Sequence, residues 1–332
     1  MRVAVIGATG VVGETILRVL EERGVEVDAL LAYASREREN AVTFKGASLP
    51  VAVATAERII ADKPHVALFA SSDDASAEMA HALADAGIVV IDNSSTFRLD
   101  PACPLVVPEV NPHAIHEHHT IFPVGNCTAI VLCVALAPIE EAVGLTSVRV
   151  ATYQAVSGAG RAGLDALAHE EAGAAPDGTF AAPILHNVVP QVGSFSGIGE
   201  SGEEEKVAAE TRKMLNRPDL HVAATCVRVP VRRAHSEAVF FSTETPTSIE
   251  ELGNALAAAK GVVFYDRGIV TPLDVENTDV VHVARLRAEG ESETNFQMWV
   301  VGDQLRKGAA TNGVQILELL VAQGRFDAVN AG

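Results

Sequence analysis

One cysteine of the sequence stands where a helix is expected to begin. The motif Gly-Asn-Cys-Thr places Asn126 and Cys127 directly ahead of an apolar run over residues 131–137, and Asn is a favoured N-cap. Cys127 is then expected in the first turn, where unpaired N–H groups and the helix dipole lower a thiol pKa. A thiolate there is a credible covalent nucleophile. The alternative is a buried structural cysteine, which suits Cys133 and Cys226 better.

A base or acid is also needed near such a thiol. His235 lies between two strand-like runs, residues 224–231 and 238–244, and imidazole exchanges protons near neutral pH. The chain has 11 histidines, so chemistry alone does not single out His235. Four of them fall within residues 113–119 without cysteine or acidic ligands at ordinary metal spacing. We predict a solvated linker there, and no metal.

Three basic residues are candidates for binding a small anion. The chain has 332 residues, with 43 Asp and Glu against 25 Lys and Arg, a formal charge of −18. An acidic protein that binds an anion must concentrate positive charge locally. Arg98, Lys206 and Arg228 are the candidates, and a surface salt bridge is the alternative for each.

The composition excludes several classes of protein. The acidic balance argues against nucleic acid as a partner, because phosphate backbones require a basic face. No apolar run approaches the roughly 20 residues of a membrane span, and the first residues read as a strand and turn, not a signal peptide. The four cysteines lack CxxC spacing, so neither a disulfide framework nor a zinc ribbon is expected. We expect a cytoplasmic protein with no membrane partner.

A glycine-rich turn near the N-terminus predicts a dinucleotide site. Gly7, Gly10 and Gly13 follow an apolar strand and open a helix, the context in which glycines let the backbone approach a pyrophosphate. A structural turn is the alternative. At the end of the second predicted strand, Ser35 and Arg36 suit a ribose 2′-phosphate, so NADP is favoured and NAD remains possible. Arg36 could instead belong to the solvated Arg-Glu-Arg-Glu run.

The pattern of elements predicts two domains of different class. Apolar strands alternate with helices in the first part, which indicates a Rossmann-type parallel sheet covered on both faces. The middle mixes strands and helices, which indicates an α+β domain with a mixed sheet. We place the cofactor domain at residues 1–126 and the catalytic and dimerisation domain at 127–307. The last helix, within residues 308–332, is expected to return to the first domain.

Together these segments resemble the aspartate-β-semialdehyde dehydrogenase family over essentially the whole chain. The matching stretches, in family order, include VAVIGATGVVGETILRVLEERG, VVIDNSSTFRLDP, GNCTAI, YQAVSGAGRAG, EEKVAAETRKML, VRVPVRRAHSEAV and VVGDQLRKGAATNGVQI. The resemblance implies NADPH-dependent reductive dephosphorylation of β-aspartyl phosphate to aspartate semialdehyde, in lysine, threonine and methionine biosynthesis. It also implies a homodimer whose small-molecule partners are the substrate and inorganic phosphate.

The resemblance further assigns roles residue by residue. Cys127 matches the nucleophile, His235 the acid/base and Gln154 the orienting glutamine. Residues matching the substrate and phosphate site are Arg98, Asn126, Glu203, Lys206 and Arg228. Residues expected to hold the cofactor are Gly7, Thr9, Gly10, Val11, Val12, Ser35, Arg36, Ser157, Gly158 and Asn312.

Two departures from the family pattern leave alternatives open. Gly125 replaces the usual proline before Asn-Cys, and the loop Ala-Ser-Arg-Glu-Arg-Glu-Asn over residues 34–40 adds two acids where a 2′-phosphate would lie.

The alternative functions are an N-acetyl-γ-glutamyl-phosphate reductase and a non-catalytic nucleotide-binding paralogue. The first usually has Gly-Cys-Tyr at the nucleophile, unlike Asn-Cys-Thr here. The second has no reason to keep Cys127, Gln154, Arg228 and His235 together.

Overall fold

A computed structural model describes residues 1–36, 38–197 and 199–327, with the backbone alone for residues 38–41. The chain divides into two compact units. The first comprises Met1–Gly125 and the C-terminal segment that begins at Ala309, and the second is Asn126–Gly308.

The first unit is built on a mostly parallel seven-stranded sheet. Its strands are β1 (Arg2–Ile6), β2 (Ala29–Ala34), β3 (Arg38–Phe44), β4 (Ala47–Val53), β5 (Val66–Phe69), β6 (Val89–Asp92) and β7 (Ile121–Pro123), in the order β3-β4-β2-β1-β5-β6-β7. Its helices are α1 (Val11–Glu22), α2 (Ala56–Asp62) and α3 (Asp73–Asp85). β5 and β6 are buried throughout, as expected of a parallel sheet covered on both faces. The predicted Rossmann-type domain is confirmed.

The second unit is built on a mixed six-stranded sheet. Its strands are β8 (Leu145–Gln154), β9 (His221–Arg228), β10 (His235–Thr243), β11 (Val262–Tyr265), β12 (Val281–Ala288) and β13 (Asn295–Gly302), in the order β11-β12-β13-β10-β8-β9. Its helices are α4 (Cys127–Val143), α5 (Gly160–Glu171), α6 (Gly202–Met214), α7 (Ile249–Ala258) and α8 (Pro272–Val275). β8 pairs parallel with β9 and antiparallel with β10. The predicted α+β class with a mixed sheet is confirmed.

The core of the second unit lies between helix α4 and the sheet. The helix is apolar on nearly every side and packs against β8, β10, β12 and β13, as expected of a helix hydrophobic all round. On the opposite face of the sheet α8 packs against β13, whereas Tyr153 on β8 and Phe240 on β10 are 39% and 36% exposed. This open face of the sheet carries aromatic side chains.

Strands β9 and β10 both begin three residues earlier than the sequence predicts, and they end three residues and one residue earlier, respectively. The predicted runs were 224–231 and 238–244, whereas β9 ends at Arg228 and β10 starts at His235. Pro230 has no N–H to offer a strand ladder, which accounts for the early end of β9. His235 is therefore the first, fully buried residue of a strand and not part of a connecting loop.

The C-terminal helix α9 (Thr311–Ala322) packs against α1 in the first unit and follows a π-helical turn, Arg306–Ala310. The sequence predicted this helix over about residues 308–323. Residues 328–332, the end of the predicted returning segment, lie outside the described residues. No helix within the described part of the chain is both long and apolar enough to span a membrane.

Candidate active site

Cys127 is the first residue of α4, as the sequence predicts. The side chain of Asn126 caps this helix, because its Oδ1 accepts the N–H groups of Thr128 at 3.0 Å and Ala129 at 3.1 Å. Cys127 is partly exposed, whereas Cys133 and Cys226 are buried. Burial raises the pKa of those two buried thiols. Of these three, only Cys127 combines solvent access with a position at a helix N-terminus.

Two carboxylates of α6 hold the residue that caps the cysteine helix. Glu210 Oε2 accepts the backbone N–H of Asn126 at 2.5 Å, and Glu203 Oε1 accepts its side-chain amide at 2.9 Å. Seven residues separate the two acids, which is two helical turns, so both lie on one face of α6. The start of α4 is thereby fixed through both the backbone and the side chain of Asn126.

Gln154 joins the same network from the end of β8. Its Nε2 donates to Glu203 Oε1 at 2.9 Å and to Thr128 Oγ1 at 2.8 Å. Its Oε1 is buried and has no hydrogen-bond partner among the described residues. The amide is therefore locked in one orientation with an unused acceptor.

The strand register brings three predicted site residues into one row. Gln154 pairs directly with Arg228 across β8 and β9, and Ser236 pairs with Tyr153 across β10 and β8. Continuing this antiparallel register by one residue places His235 beside Gln154. Gln154, Arg228 and His235 are all buried. The row of His235, Gln154 and Arg228 thus spans three neighbouring strands.

The backbone of Ala155 clamps both ends of that row. Its N–H donates to His235 Nδ1 at 3.1 Å, and its C=O accepts from Arg228 Nη1 at 2.8 Å. The guanidinium also lies over the ring of Phe180, at 5.9 Å from the centroid. His235 Nε2 and Arg228 Nε are buried without a partner in the part of the chain that the structure describes. Each therefore keeps a polar atom available to a ligand.

Burial and charge shift the acid–base properties of these groups. Burial lowers the pKa of the His235 imidazole, and the neighbouring Arg228 charge lowers it further. Burial also lowers the pKa of Arg228, while Glu203 and Cys127 act in the opposite direction. Arginine remains protonated under such shifts. The site therefore combines a fixed cation with a neutral imidazole.

Gly158 allows the row to be this compact. A Cβ on Gly158 would come within 2.6 Å of Arg228 Nη1 and 3.2 Å of His235 Nε2. Gly308 makes a similar close approach to Cys127, where a Cβ would lie 2.9 Å from the cysteine Cβ. Any side chain at Gly158 would push against both Arg228 and His235.

The glycine turn of the first unit has the form of an anion cradle. Gly7 has φ of +85°, and a Cβ there would lie 2.2 Å from the carbonyl oxygen of Ala70. Gly10 is the N-cap of α1 and supplies no side chain to its N–H groups. The predicted cofactor residues of this turn are partly exposed, namely Gly7, Thr9, Gly10, Val11 and Val12. This uncapped helix start fits a pyrophosphate.

The other predicted cofactor residues are placed less uniformly. Ser35 and Arg36 are exposed just after β2, whereas Asp28 precedes β2 and pairs with the N-terminal ammonium of Met1. Asp28 is therefore at the end of the strand away from Ser35. Of the atypical loop, Glu37 and the side chains of the next four residues lie outside the described residues.

Two predicted cofactor residues use their side chains inside the protein. Ser157 is buried, its hydroxyl donating to the Arg232 carbonyl and accepting from Gln304 Nε2. Asn312 is buried and donates to the carbonyl of Val106 at 2.9 Å. These contacts support the local backbone, and a role of either residue toward the cofactor stays a prediction.

The predicted phosphate residues lie in different units. Arg98, in the first unit, donates from Nε to the carbonyl of Val124 at 2.8 Å and from Nη2 to that of Asn93 at 2.7 Å. Lys206, in the second unit, is partly exposed on α6, three residues after Glu203. Helical spacing of three residues places Lys206 beside Glu203.

The histidines of residues 113–119 do not form a metal site within the described ranges, where no three His, Cys, Asp or Glu side chains are grouped to hold an ion. The rings of His118 and His119 lie 4.1 Å apart between centroids. The neighbouring His118 and His116 add to burial in lowering the pKa of His119.

Sequence reasoning missed three residues of the site. Glu210 and Ala155 act on Asn126 and on His235 through backbone hydrogen bonds. Glu237, two residues after His235, is fully buried with both oxygens unpartnered among the described residues. The seven-residue spacing of Glu203 and Glu210 was a usable signal, since it places both on one helix face. Nothing local in the sequence marks Ala155.

Two family models match the chain in its two parts. Residues 2–118 match the semialdehyde dehydrogenase NAD-binding domain, and residues 136–307 match the semialdehyde dehydrogenase dimerisation domain. Aspartate-semialdehyde dehydrogenase 2 of Vibrio cholerae is 44% identical over 329 residues, covering 96% of this chain and 97% of the relative. The chain belongs to the aspartate-semialdehyde dehydrogenase family. The resemblance inferred from the motifs is confirmed.

Further relatives of the aspartate-semialdehyde dehydrogenase family agree with this assignment. The Aquifex aeolicus enzyme is 43% identical over 336 residues, covering 97% of this chain and 98% of the relative. The crystal structure of aspartate semialdehyde dehydrogenase II from Vibrio cholerae, complexed with ASA, superposes with a TM-score of 0.92 at 42% identity, covering 97% of this chain and 98% of that one. The chain is thus an oxidoreductase with a domain for a nicotinamide cofactor.

Proposed function

We propose that this enzyme converts β-aspartyl phosphate to aspartate semialdehyde through a thioester on Cys127. The observation that supports this most is the arrangement within the second unit. A partly exposed cysteine begins a capped helix, and its cap is tied through Glu203 to the row of Gln154, Arg228 and His235. The phosphate of an acyl phosphate is anionic, so its site requires a cation. The acyl carbon is electrophilic, so a thiolate can attack it.

Cys127 supplies the nucleophile in this proposal. Its Sγ attacks the acyl carbon, the bond from that carbon to the phosphate oxygen breaks, and phosphate leaves with the electron pair. The N-terminus of α4 favours the thiolate, because its unpaired N–H groups carry partial positive charge. Arg228 adds a full positive charge that also favours the thiolate, because its guanidinium and Cys127 interact electrostatically.

Arg228 and Glu203 position the substrate. The unpartnered Nε–H of Arg228, together with an N–H of Nη2, can form a fork of two hydrogen bonds to the α-carboxylate. Glu203 uses Oε1 for Asn126 and Gln154, and we assign Oε2 to the substrate amino group. Such anchoring makes the attack of Cys127 effectively intramolecular.

Lys206 and Arg98 are proposed as cations for the phosphate. Lys206 follows Glu203 by one helical turn, which supports its role near the substrate. Arg98 is proposed on its match to the family motif alone. Arg98→Gln and Lys206→Gln test these roles separately, and each is expected to raise the KM for phosphate in the oxidative direction.

The first unit is proposed to hold NADP. The cofactor, when bound, supplies the hydride that reduces the thioester. The uncapped start of α1 and the turn from Gly7 to Val12 suit its pyrophosphate. Ser35 and Arg36 are exposed after β2 and carry the hydroxyl and guanidinium that recognise a 2′-phosphate. NAD remains the alternative that the acidic neighbours of Arg36 would favour.

The enzyme is proposed to form a homodimer through the open face of the second sheet. Residues 136–307 match a dimerisation domain, and this range contains all six strands of that sheet. Tyr153 and Phe240 are exposed on it, and aromatic residues are enriched in interfaces. Tyr153→Glu together with Phe240→Glu is expected to give monomers in analytical ultracentrifugation, and an intact dimer would contradict this surface.

One assay separates the candidate reactions. The enzyme is supplied with phosphate and either NADP or NAD, and with either aspartate semialdehyde or N-acetylglutamate semialdehyde, and the reduced nicotinamide absorbance is followed. Phosphate-dependent turnover with aspartate semialdehyde alone is the expected result. Turnover with N-acetylglutamate semialdehyde would favour the sister reductase. Tight nucleotide binding with no turnover on either aldehyde would favour a non-catalytic paralogue.

A further inference from the structure

We propose that Glu210 on α6 is a positioning residue for Cys127. It fixes the peptide group between Gly125 and Asn126, from which the chain enters the helix that carries the nucleophile. Glu210 acts through this backbone contact and takes no part in the bond changes of the reaction. The role rests on the proposed function, because that function makes Cys127 the nucleophile.

The cap of α4 is completed by a residue from another helix. In a capping box, the N-cap side chain accepts an N–H of the first turn, and the side chain at N3 accepts the N–H of the N-cap residue. Asn126 makes the first of these contacts within its own helix. The N3 residue is Ala129, whose methyl group cannot accept a hydrogen bond. Glu210 Oε2 supplies the second contact from α6, at 2.5 Å from the Asn126 nitrogen.

Helix α6 shows the ordinary form of the same motif. Ser201 Oγ accepts the N–H of Glu204 at 3.4 Å, and Glu204 Oε2 accepts the N–H of Ser201 at 2.7 Å, so both contacts lie within one helical turn. The corresponding contact at the start of α4 joins residues 84 apart in sequence. The start of α4 therefore depends on where α6 lies, which would not be true of a local capping box.

Glu210 lies in a buried setting beside α4. It is 1% exposed, and Asn126 is 5% exposed. Burial raises the pKa of the Cys133 thiol and Glu210 adds to this, which places the carboxylate near the second turn of α4 as well as near its start. Because a buried N–H without an acceptor is costly, the Asn126 peptide stays aligned with the carboxylate.

The residue ahead of the cap gives the backbone freedom that this contact removes. Gly125 has no Cβ, and glycine is the most permissive residue in φ and ψ. Cys127 itself packs closely against Gly308, where an added Cβ would lie 2.9 Å from the cysteine Cβ. A rotation of the peptide ahead of Asn126 would move the Cys127 thiolate relative to a substrate held by Arg228. A displacement of about 1 Å can cost roughly 100-fold in rate.

Two substitutions of Glu210 separate the acceptor from the charge. Glu210→Gln keeps an oxygen that can accept the Asn126 N–H, whereas Glu210→Met has similar length and only a weakly accepting sulfur. We expect kcat per reactive thiol to fall by about 30- to 100-fold in Glu210→Met and by less than about fivefold in Glu210→Gln. The KM for aspartate semialdehyde should stay within about twofold in both, because the residues that bind substrate are unchanged. Equal kcat in the two variants, or a loss confined to KM, would overturn the positioning role.

Glu140→Met is the matched control for a general loss of stability. Glu140 lies at the opposite end of α4 and also accepts a backbone N–H, that of Leu145, at 2.8 Å. Its replacement should lower the stability measured by urea unfolding and leave kcat unchanged. A fall in kcat as large as that in Glu210→Met would show that destabilising α4 at either end is enough, and the specific role of Glu210 would be refuted.

Amide hydrogen exchange tests the contact without any reaction. The unliganded enzyme is labelled with nitrogen-15 at asparagine, and Asn126→Asp identifies the signal of Asn126. Its N–H is expected to exchange slowly in the unmodified enzyme and in Glu210→Gln, and at least about tenfold faster in Glu210→Met. Equal protection in all three would show that Glu210 does not hold this peptide. The exchange readout needs no substrate, so its outcome does not depend on the proposed reaction.

Discussion

Glu203 on α6 and Gln154 at the end of β8 share a hydrogen bond of 2.9 Å, and the oxygen that accepts it also accepts the side chain of Asn126. One carboxylate oxygen therefore joins the helix cap beside Cys127 to the catalytic row of the sheet. Because hydrogen bonds to a charged acceptor are stronger than neutral ones, this oxygen is the main link between the nucleophile and the groups that position the substrate.

Replacing the Glu203 carboxylate should weaken its hydrogen bonds to both Asn126 and Gln154. Glu203→Gln keeps the shape but loses the charged acceptor, so kcat/KM for aspartate semialdehyde is expected to fall by about 10- to 100-fold. Glu205→Gln is the matched control, because Glu205 is exposed in the same first turn of α6. Steady-state kinetics of both variants check this, and similar values for the two would contradict a role for Glu203 in the site.

Removal of the helix cap should affect stability and thiol reactivity together. Asn126→Ala leaves the N–H groups of Thr128 and Ala129 unpaired and is expected to cost about 1 kcal/mol in the free energy of unfolding. It should also slow iodoacetamide alkylation of Cys127. Ser72→Ala, which removes the N-cap of α3, should cost similar stability and leave alkylation unchanged. Equal alkylation rates in both variants would show that the cap does not tune the thiol.

A methyl group on Gly158 should disturb the catalytic row directly. The added Cβ would lie 2.6 Å from Arg228 Nη1 and 3.2 Å from His235 Nε2, so one or both must move. Because displacements of about 1 Å can cost roughly 100-fold in rate, Gly158→Ala should lose activity on that scale. Gly197→Ala, where a Cβ meets open space, should retain it. Kinetics, with circular dichroism to verify folding, distinguish the two.

Glu237 should make the enzyme less stable as the pH rises. Burial raises the pKa of its carboxyl in the folded protein, so the folded state holds a proton that the unfolded chain releases above its ordinary pKa. Stability is then highest below that ordinary value and falls as the pH rises toward the folded one. Glu237→Gln cannot ionise and should lose less stability over the same range.

Urea unfolding at several pH values measures this difference. The stability of Glu237→Gln relative to the unmodified enzyme is expected to increase steadily from acid to neutral pH. The pH-dependent part of the comparison is diagnostic, because any packing cost of the amide is constant with pH. A difference independent of pH would mean that Glu237 is ionised in the folded protein.

The sequence predicts those parts of the site that depend on local signals. An N-cap followed by an apolar run placed Cys127 in the first turn of a helix, and the structure confirms it. The glycine turn between β1 and α1 was predicted for the same reason. The β3–β4 hairpin was missed although each strand has seven residues, because β3 begins within the charged Arg-Glu-Arg-Glu run that suggested a solvated segment.

The catalytic row could not be predicted in this way. Its formation depends on the register between β8, β9 and β10, which is set by pairing between segments about 75 residues apart in sequence. The family motifs supplied Gln154, Arg228 and His235 as separate residues. That the backbone of Ala155 holds two of them follows only from the three-dimensional arrangement.

The most direct test of the thioester on Cys127 is a pre-steady-state measurement without phosphate. Aspartate semialdehyde and NADP are mixed with the enzyme, and the reduced nicotinamide is followed before the peptide that contains Cys127 is analysed by mass spectrometry. A thioester on Cys127 predicts a burst stoichiometric with enzyme, an aspartyl adduct on Cys127, and steady turnover only once phosphate is added. A burst and adduct that persist in Cys127→Ser, or full turnover in that variant, would contradict this mechanism.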